Sequence, residues 1–393
     1  MTVVCMTGDE AVAYAVKQGK VDVVAAYPIT PQTIMVERFS KYVADGEVKT
    51  EYVCVESEHS AMSACVGSSL TGARVFTATS SQGLALMHEM LYIASGLRCP
   101  IVMGVANRAL SAPINIHGDQ SDMMGSRDSG WVQIYAENAQ EAYDWTLQAF
   151  KIAEDEKVQL PVSVNLDGFI ISHCVEGVNT LEDATVENLL QTRKPMFSID
   201  FDKPVTIGAL CFTDYYYEFK RQQVEAMQNA RSVLGKVSRE FKDASGRSYG
   251  VLDAFGMDDA DAAIICLGST AGTAREVARR MRMQGKKVGV VKLWLYRPFP
   301  VEEILAVFKN VKAVAVLDKA VSFGAQYGAL GSDVISALYK DGVEPKPKVF
   351  NIIFGLGGRD IQPSDIEGVF NQALEIAESG VVKEETVFLG VRE

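Results

Sequence analysis

The sequence predicts an α/β protein. A doubly wound parallel-sheet domain is expected over residues 1–240, and a second, smaller α/β domain over 255–393. Three observations predict this. Short apolar runs alternate with helical patterns through about the first 170 residues and again from about 260. The runs are apolar throughout, as in strands covered on both faces of a parallel sheet. Several helical stretches end at or beside a glycine (Gly46, Gly72, Gly96), where a left-handed C-cap costs least.

In chain order, VDVVAAY (21–27), TEYVCV (50–55), RVFTATS (74–80), PIVMGVAN (100–107) and PVSVNLDG (161–168) read as strands. Between them, 30–46, 57–72, 81–96 and 139–156 carry helical patterns. From about residue 171 the alternation lapses into a connecting arm. The arm holds Tyr215, Tyr216 and Tyr217 and a charge-rich helix from about Phe219 to Ser245. Another subunit could pack there, or the helix could simply be solvated. The second domain resumes with strands at 261–269, 287–295, 311–318 and 348–355, and with helices at 270–285 and 300–310. No tandem repeat or low-complexity tract interrupts the chain.

Composition narrows the function classes. An apolar share of 48% and a charged share of 22% suit a globular protein. No run approaches the ~18–20 apolar residues of a membrane span. The start, MTVVCMTGDEAV, lacks the basic flank and apolar core of a secretion signal, so a cytoplasmic protein is expected. A net charge of −12 argues against a nucleic-acid surface. The seven cysteines form no C-x-x-C pair, which argues against iron–sulfur or zinc ligation by this chain alone; buried, reduced thiols are expected.

In doubly wound sheets, ligands bind beyond the carboxyl ends of the strands. Four such ends carry unusual residues. After the first quoted strand comes Pro28-Ile29-Thr30-Pro31. Thr30 as N-cap and Pro31 at the first helical position would explain half of that turn, but not Pro28. After the second comes Glu56-Ser57-Glu58. Ser57 suits an N-cap and Glu58 the first helical turn, yet a carboxyl group in this crevice also fits proton exchange. After the third, Thr79-Ser80-Ser81-Gln82-Gly83 is small and polar, with neither a P-loop nor a dinucleotide fingerprint. After the fourth stands Arg108. A guanidinium emerging from a buried strand calls for an anion, either a ligand carboxylate or a carboxylate of the protein. The loop over 109–130 is long and polar, as functional loops often are. Its His117 and Asp119 are too few for a metal site, and none is expected.

These segments carry a resemblance. AAYPITPQT (25–33), VESEHSAM (55–62), TATSSQGLALMHEM (77–90) and the stretch 107–131 resemble the α subunit of the 2-oxoacid:ferredoxin oxidoreductases, most closely the pyruvate type, pyruvate synthase. LYRPFP (295–300), VLDKAVSFG (316–324) and GLGGRD (355–360) are similar to its second domain. The resemblance implies a pyrimidine-binding domain of the thiamine-diphosphate enzymes over 1–240, then a transketolase C-terminal-like domain. It implies reversible, CoA-dependent oxidative decarboxylation of pyruvate to acetyl-CoA and CO2, with electrons passing to ferredoxin; in reverse the reaction fixes carbon. Glu58 would pair with the pyrimidine ring of thiamine diphosphate and share a proton with it. Pro28, Ile29 and Thr30 would line the pocket, and Arg108 would hold the substrate carboxylate. The G-D-G…N signature for the magnesium–diphosphate end is missing, as are four-cysteine motifs. The resemblance assigns Mg2+ and [4Fe-4S] clusters to partner chains, so β, γ and δ subunits are expected beside this one. Neutral Thr30 and a single obvious arginine favour a monocarboxylate, although Arg127 could also fold in. The alternatives are 2-oxoglutarate, a branched-chain 2-oxoacid or oxalate as substrate, or a non-catalytic scaffold.

Overall fold

A computed structural model describes residues 2–191, 193–340 and 345–392. The chain opens with β1 (Thr2–Thr7) and α1 (Gly8–Gln18), which Thr7 and Glu10 close with a reciprocal capping box. β2 (Val23–Ala26), α2 (Thr33–Ala44), β3 (Glu51–Cys54), α3 (Glu58–Leu70) and β4 (Val75–Thr79) follow. Next come the short α4 (Ser81–Leu86), α5 (His88–Gly96), β5 (Ile101–Asn107), α6 (Ser121–Gly125), β6 (Val132–Tyr135), α7 (Ala139–Glu154) and β7 (Val162–Asp167). β8 (Val175–Thr180) pairs antiparallel with β1, and α8 (Asp183–Leu190) leads through an extended arm to α9 (Tyr216–Ser245). The second half holds β9 (Leu252–Phe255), β10 (Ala262–Cys266), α10 (Thr270–Met283), β11 (Val288–Leu293), β12 (Leu295–Arg297), α11 (Val301–Val307) and β13 (Ala313–Asp318). It ends with α12 (Ala329–Leu338), β14 (Lys348–Ile353), α13 (Pro363–Ser379) and β15 (Thr386–Phe388).

The first sheet has the order β12-β6-β7-β5-β4-β2-β3 and the second β15-β14-β13-β10-β11-β9. Within the first, β2 to β7 run parallel. β4, β5 and β7 are buried along their whole length, so they are covered on both faces. The chain moves outward from β2 to β3, then returns to place β4 on the other side of β2. The strand order therefore reverses between β2 and β4, and a crevice opens beyond their carboxyl ends.

The predicted strands at 21–27, 50–55, 74–80, 100–107 and 161–168 all form. The expected single strand over 287–295 is two strands in two sheets. β11 joins the second sheet, while β12 crosses over and pairs antiparallel with β6. The break falls at Trp294, whose N–H bonds Val251 and whose carbonyl accepts from Tyr135. The helix over 81–96 is likewise broken at Met87 into α4 and α5. Gly46 and Gly72 take positive φ as expected, but Gly96 closes α5 and Arg98 takes the left-handed conformation (φ 61°). Arg98 is fixed there by guanidinium bonds to the carbonyls of Val158 and Gln159. The charged α9 is not merely solvated. Ala226, Ala230, Val233, Leu234, Val237 and Phe241 form a buried stripe facing α7. Nor are all cysteines buried. Burial pushes the thiols of Cys65, Cys99 and Cys266 up to about 12, but Cys5, Cys54 and Cys174 are exposed. Cys5 lies in the small β1–β8 pair and Cys54 on the edge strand β3, where one side meets solvent.

Buried charge ties the two halves together. Lys292 on β11 donates to Glu137 (2.5 Å) and Glu141 (2.6 Å), and Trp294 Nε1 donates to Glu141 (2.9 Å). Asp167, at the end of β7, accepts from the N–H of Ser269 (2.9 Å) and lies 3.4 Å from Lys319. Burial would raise the Asp167 carboxyl, but Lys319, Ser269 and Gln120 together hold it below its ordinary value. Among the described residues, no helix is long and apolar enough to cross a membrane.

Candidate active site

The turn after β2 lies at the point where the strand order reverses. Thr30 does not cap the following helix. α2 begins at Thr33 with Gln32 at the N-cap position, and no side chain caps it. The turn is held instead by Gln32, which is fully buried. Its Nε2 donates to the Ala78 carbonyl on β4 (2.7 Å), and its Oε1 accepts the Ile29 N–H (3.3 Å). Pro31 is buried, while Tyr27, Pro28 and Thr30 remain exposed on the crevice side of the sheet end. Gly168 packs under the turn. A Cβ there would meet the Asn107 carbonyl at 2.4 Å and the Pro31 ring at 2.9 Å.

On the neighbouring strand, Ser57 caps α3 through the Ser60 N–H (3.2 Å), which places Glu58 in the first turn. Glu58 is only 6% exposed, and its carboxyl makes no hydrogen bond to the described residues. It faces Gly83 on α4. A Cβ on Gly83 would lie 2.5 Å from Glu58 Oε1 and 2.6 Å from Thr79 Oγ1. The Thr79 hydroxyl is buried and has no partner among the described residues. Buried polar groups are ordinarily paired. A carboxyl and a hydroxyl without partners among the described residues, side by side against a glycine, can accept hydrogen bonds from a polar ligand. A protonated ring nitrogen and an amino group suit them, and the aminopyrimidine of thiamine diphosphate carries both functions.

Arg108 closes the third side. It is 6% exposed, and no carboxylate of the described residues pairs with its guanidinium. The internal ion pair allowed by the sequence is thus absent. Nη1 donates to the Thr30 carbonyl (2.9 Å) and Nε to the Asn115 carbonyl (2.8 Å), while Nη2 bonds none of the described residues. Burial lowers Arg108 from its ordinary value, and the charge of Asp122 opposes that. A guanidinium held by two neutral carbonyls keeps its positive charge uncompensated and has a free donor for an anion. Thr30, Glu58 and Arg108 thus stand on the ends of β2, β3 and β5, adjoining strand ends of one sheet edge, with the Gly83 loop after β4 between them.

Sequence reasoning missed Gln32 and Asp122. Gln32 and Asp122 are single polar residues without a pattern, so no local signal marks them. The loop over 109–130 is not free. Asn115 Nδ2 donates to the Gly357 carbonyl (3.0 Å) and Asp119 accepts the Gly357 N–H (3.1 Å). The Gly355-Leu356-Gly357-Gly358 turn of the second half therefore clasps it. His117 stacks on Phe169 at 5.1 Å. No group of three or more metal-binding side chains occurs among the described residues. Arg127 bonds the Met124 carbonyl (2.9 Å) and faces Asp128.

Comparison with known proteins places the chain in a family. Residues 14–239 match the family described as pyruvate flavodoxin/ferredoxin oxidoreductase, thiamine diphosphate-binding, and residues 260–366 match pyruvate:ferredoxin oxidoreductase core domain II. Pyruvate synthase subunit PorA of Thermotoga maritima is 51% identical over 391 residues, covering 99% of this chain and 98% of that protein. Ketoisovalerate oxidoreductase subunit VorA of Pyrococcus abyssi is 47% identical over 97% of this chain and 95% of its own. The fold is shared with a 2-oxoglutarate:ferredoxin oxidoreductase from Magnetococcus marinus (TM-score 0.74, 23% identity, 95% of this chain and 65% of that one). It is also shared with a split-gene transketolase (TM-score 0.56, 14% identity, 95% and 99%).

Proposed function

The chain belongs to the pyruvate:ferredoxin oxidoreductase family, and we propose that it is the α subunit of a pyruvate synthase. The reaction is CoA-dependent oxidative decarboxylation of pyruvate to acetyl-CoA and CO2, with ferredoxin as electron acceptor. The observation that carries the substrate class is Arg108, a buried guanidinium whose Nη2 bonds none of the described residues and which pairs with no carboxylate among them. Its chemistry fits the carboxylate of a 2-oxoacid.

Bound thiamine diphosphate supplies the electron sink on which a 2-oxoacid loses CO2. This chain's residues do the rest of the work on their side of the site. Glu58 holds a proton at the pyrimidine ring, and Gly83, having no side chain, lets the Glu58 carboxyl lie directly against α4. Thr30 and the Pro28–Ile29 backbone line the pocket wall. Arg108 fixes the substrate carboxylate until it departs as CO2. The diphosphate end, Mg2+ and the [4Fe-4S] clusters belong to β, γ and δ partners in a cytoplasmic assembly. Thr30 is neutral and Arg127 is bound to its own loop, which favours a monocarboxylate over 2-oxoglutarate.

Arg108→Lys tests the assignment in the assembled complex. Lysine keeps the charge but loses the fork. Losing a charge-assisted hydrogen bond of about 1.5–3 kcal/mol should lower kcat/KM for the 2-oxoacid about 10- to 100-fold. A panel of pyruvate, 2-oxoisovalerate and 2-oxoglutarate identifies the acid used. An unchanged KM for every acid removes Arg108 from the site.

A further inference from the structure

We propose that Asp122 is the positioning residue of this site. Its carboxylate joins the loop after β4 to the loop after β5 and so sets the spacing between the Gly83 cradle and the Arg108 guanidinium. The proposal rests on the roles given above to Glu58 and Arg108.

Asp122 lies on the short α6, inside the long loop that follows Arg108. Its Oδ2 accepts the backbone N–H of Ser81 (3.0 Å) and of Arg108 (2.9 Å). Its Oδ1 accepts Asn107 Nδ2 (2.9 Å) and the Met123 N–H (2.7 Å). The carboxylate thus gathers donors from both sheet-end loops and from the end of β5. Arg108 is held by its own backbone, and Ser81 stands two residues before Gly83.

Ser81 has a φ of 47°, a conformation rare outside glycine, which persists only where surrounding contacts impose it. The bond to Asp122 is one such contact; the other runs from the Ser81 hydroxyl to the Ala109 carbonyl (2.5 Å). Both tie the β4 loop to the β5 loop. Asp122 is fully enclosed, and burial pushes its carboxyl up to about 6 in spite of these donors, with Asp119 adding to the rise. Arg108 feels its charge from beyond ion-pair distance. A buried carboxylate without a contacting cation is an expensive space-filler. No neutral side chain of the same shape can accept four hydrogen bonds on two oxygens.

The test is Asp122→Asn in the assembled complex, assayed by 2-oxoacid-dependent reduction of a viologen dye. Asparagine has the same shape, but its amide nitrogen cannot accept, so one of the two donor pairs loses its partner. A misplacement near 1 Å costs about 100-fold in rate. The expected result is a KM for the 2-oxoacid raised about 10- to 100-fold, with a smaller fall in kcat, at temperatures well below the variant's unfolding. If the variant does not assemble, Asp122→Ser, which leaves room for water to take the freed amides, is measured with the same expectation. A lowered thermal midpoint with wild-type KM and kcat overturns the positioning role alone. A wild-type complex inactive on every 2-oxoacid overturns the functional reading, and this proposal with it.

Discussion

Gly83→Ala probes the placement of Glu58 without touching a charged group. A Cβ at this position lies 2.5 Å from Glu58 Oε1, whereas ordinary contact begins at 3.4 Å. The carboxyl oxygen must therefore retreat by 3.4 − 2.5, or about 0.9 Å. The Thr79 hydroxyl, at 2.6 Å, must yield as well. A shift near 1 Å in a group that acts on the reacting centre costs about 100-fold in rate. Stability should change little. Alanine is favoured over glycine in a helix by about 0.5–1 kcal/mol. That offsets part of an overpacking cost of about 1–3 kcal/mol. The measurement pairs thermal unfolding with viologen reduction at saturating thiamine diphosphate. We expect kcat/KM to fall about 100-fold while the unfolding midpoint moves by only a few degrees. A variant with wild-type kcat/KM and cofactor affinity would show that the position of the Glu58 carboxyl against Gly83 is not essential, and the role of Glu58 would fall with it.

Two other outcomes follow from buried charge. Lys292→Met leaves Glu141, and in part Glu137, without its buried cation. Breaking such a pair costs about 3–5 kcal/mol, which a chemical denaturation midpoint will register; a loss under about 1 kcal/mol would contradict the pairing. Asp318, at the end of β13, accepts from the amides of Leu330 and Gly331, yet burial pushes it from 3.8 to about 6. Because its folded value is raised, its contribution to stability is complete below about pH 4, declines with rising pH and is gone above about pH 6. Asp318→Asn removes that component, so the stability of the wild type relative to the variant should fall by about 3 kcal/mol or less across this window. A difference that stays flat with pH would refute it.

Much of the candidate site was legible because its residues follow strands at fixed offsets. An apolar run ending in Arg108, or a helix N-terminus at Ser57-Glu58, is a local pattern. A doubly wound sheet delivers every such strand end to one edge. The resemblance of the 25–33 and 107–131 segments added the identity of the cofactor, which patterning alone does not supply. Thr30 was read wrongly as a helix cap, because the signature S/T-P before a helical run describes residue types and not where the first hydrogen-bonded turn closes. The split of 287–295 between β11 and β12 was illegible for a similar reason. Both pieces are apolar, and apolarity says that a strand is buried without saying in which sheet.

The sequence by itself determined the alternation of strands and helices and the presence of Glu58 and Arg108 at strand ends. These follow from backbone geometry and side-chain period, which act over a few residues. Only the tertiary structure decided that Gly83 lies beneath Glu58, that Gln32 holds the turn after β2, and that Asp122 reaches back to Ser81 and Arg108. It also decided that the Arg108 guanidinium meets two carbonyls and, among the described residues, no carboxylate. Those contacts depend on which strands become neighbours, and strand order is set by burying all the apolar faces at once, a condition that no short window of sequence contains.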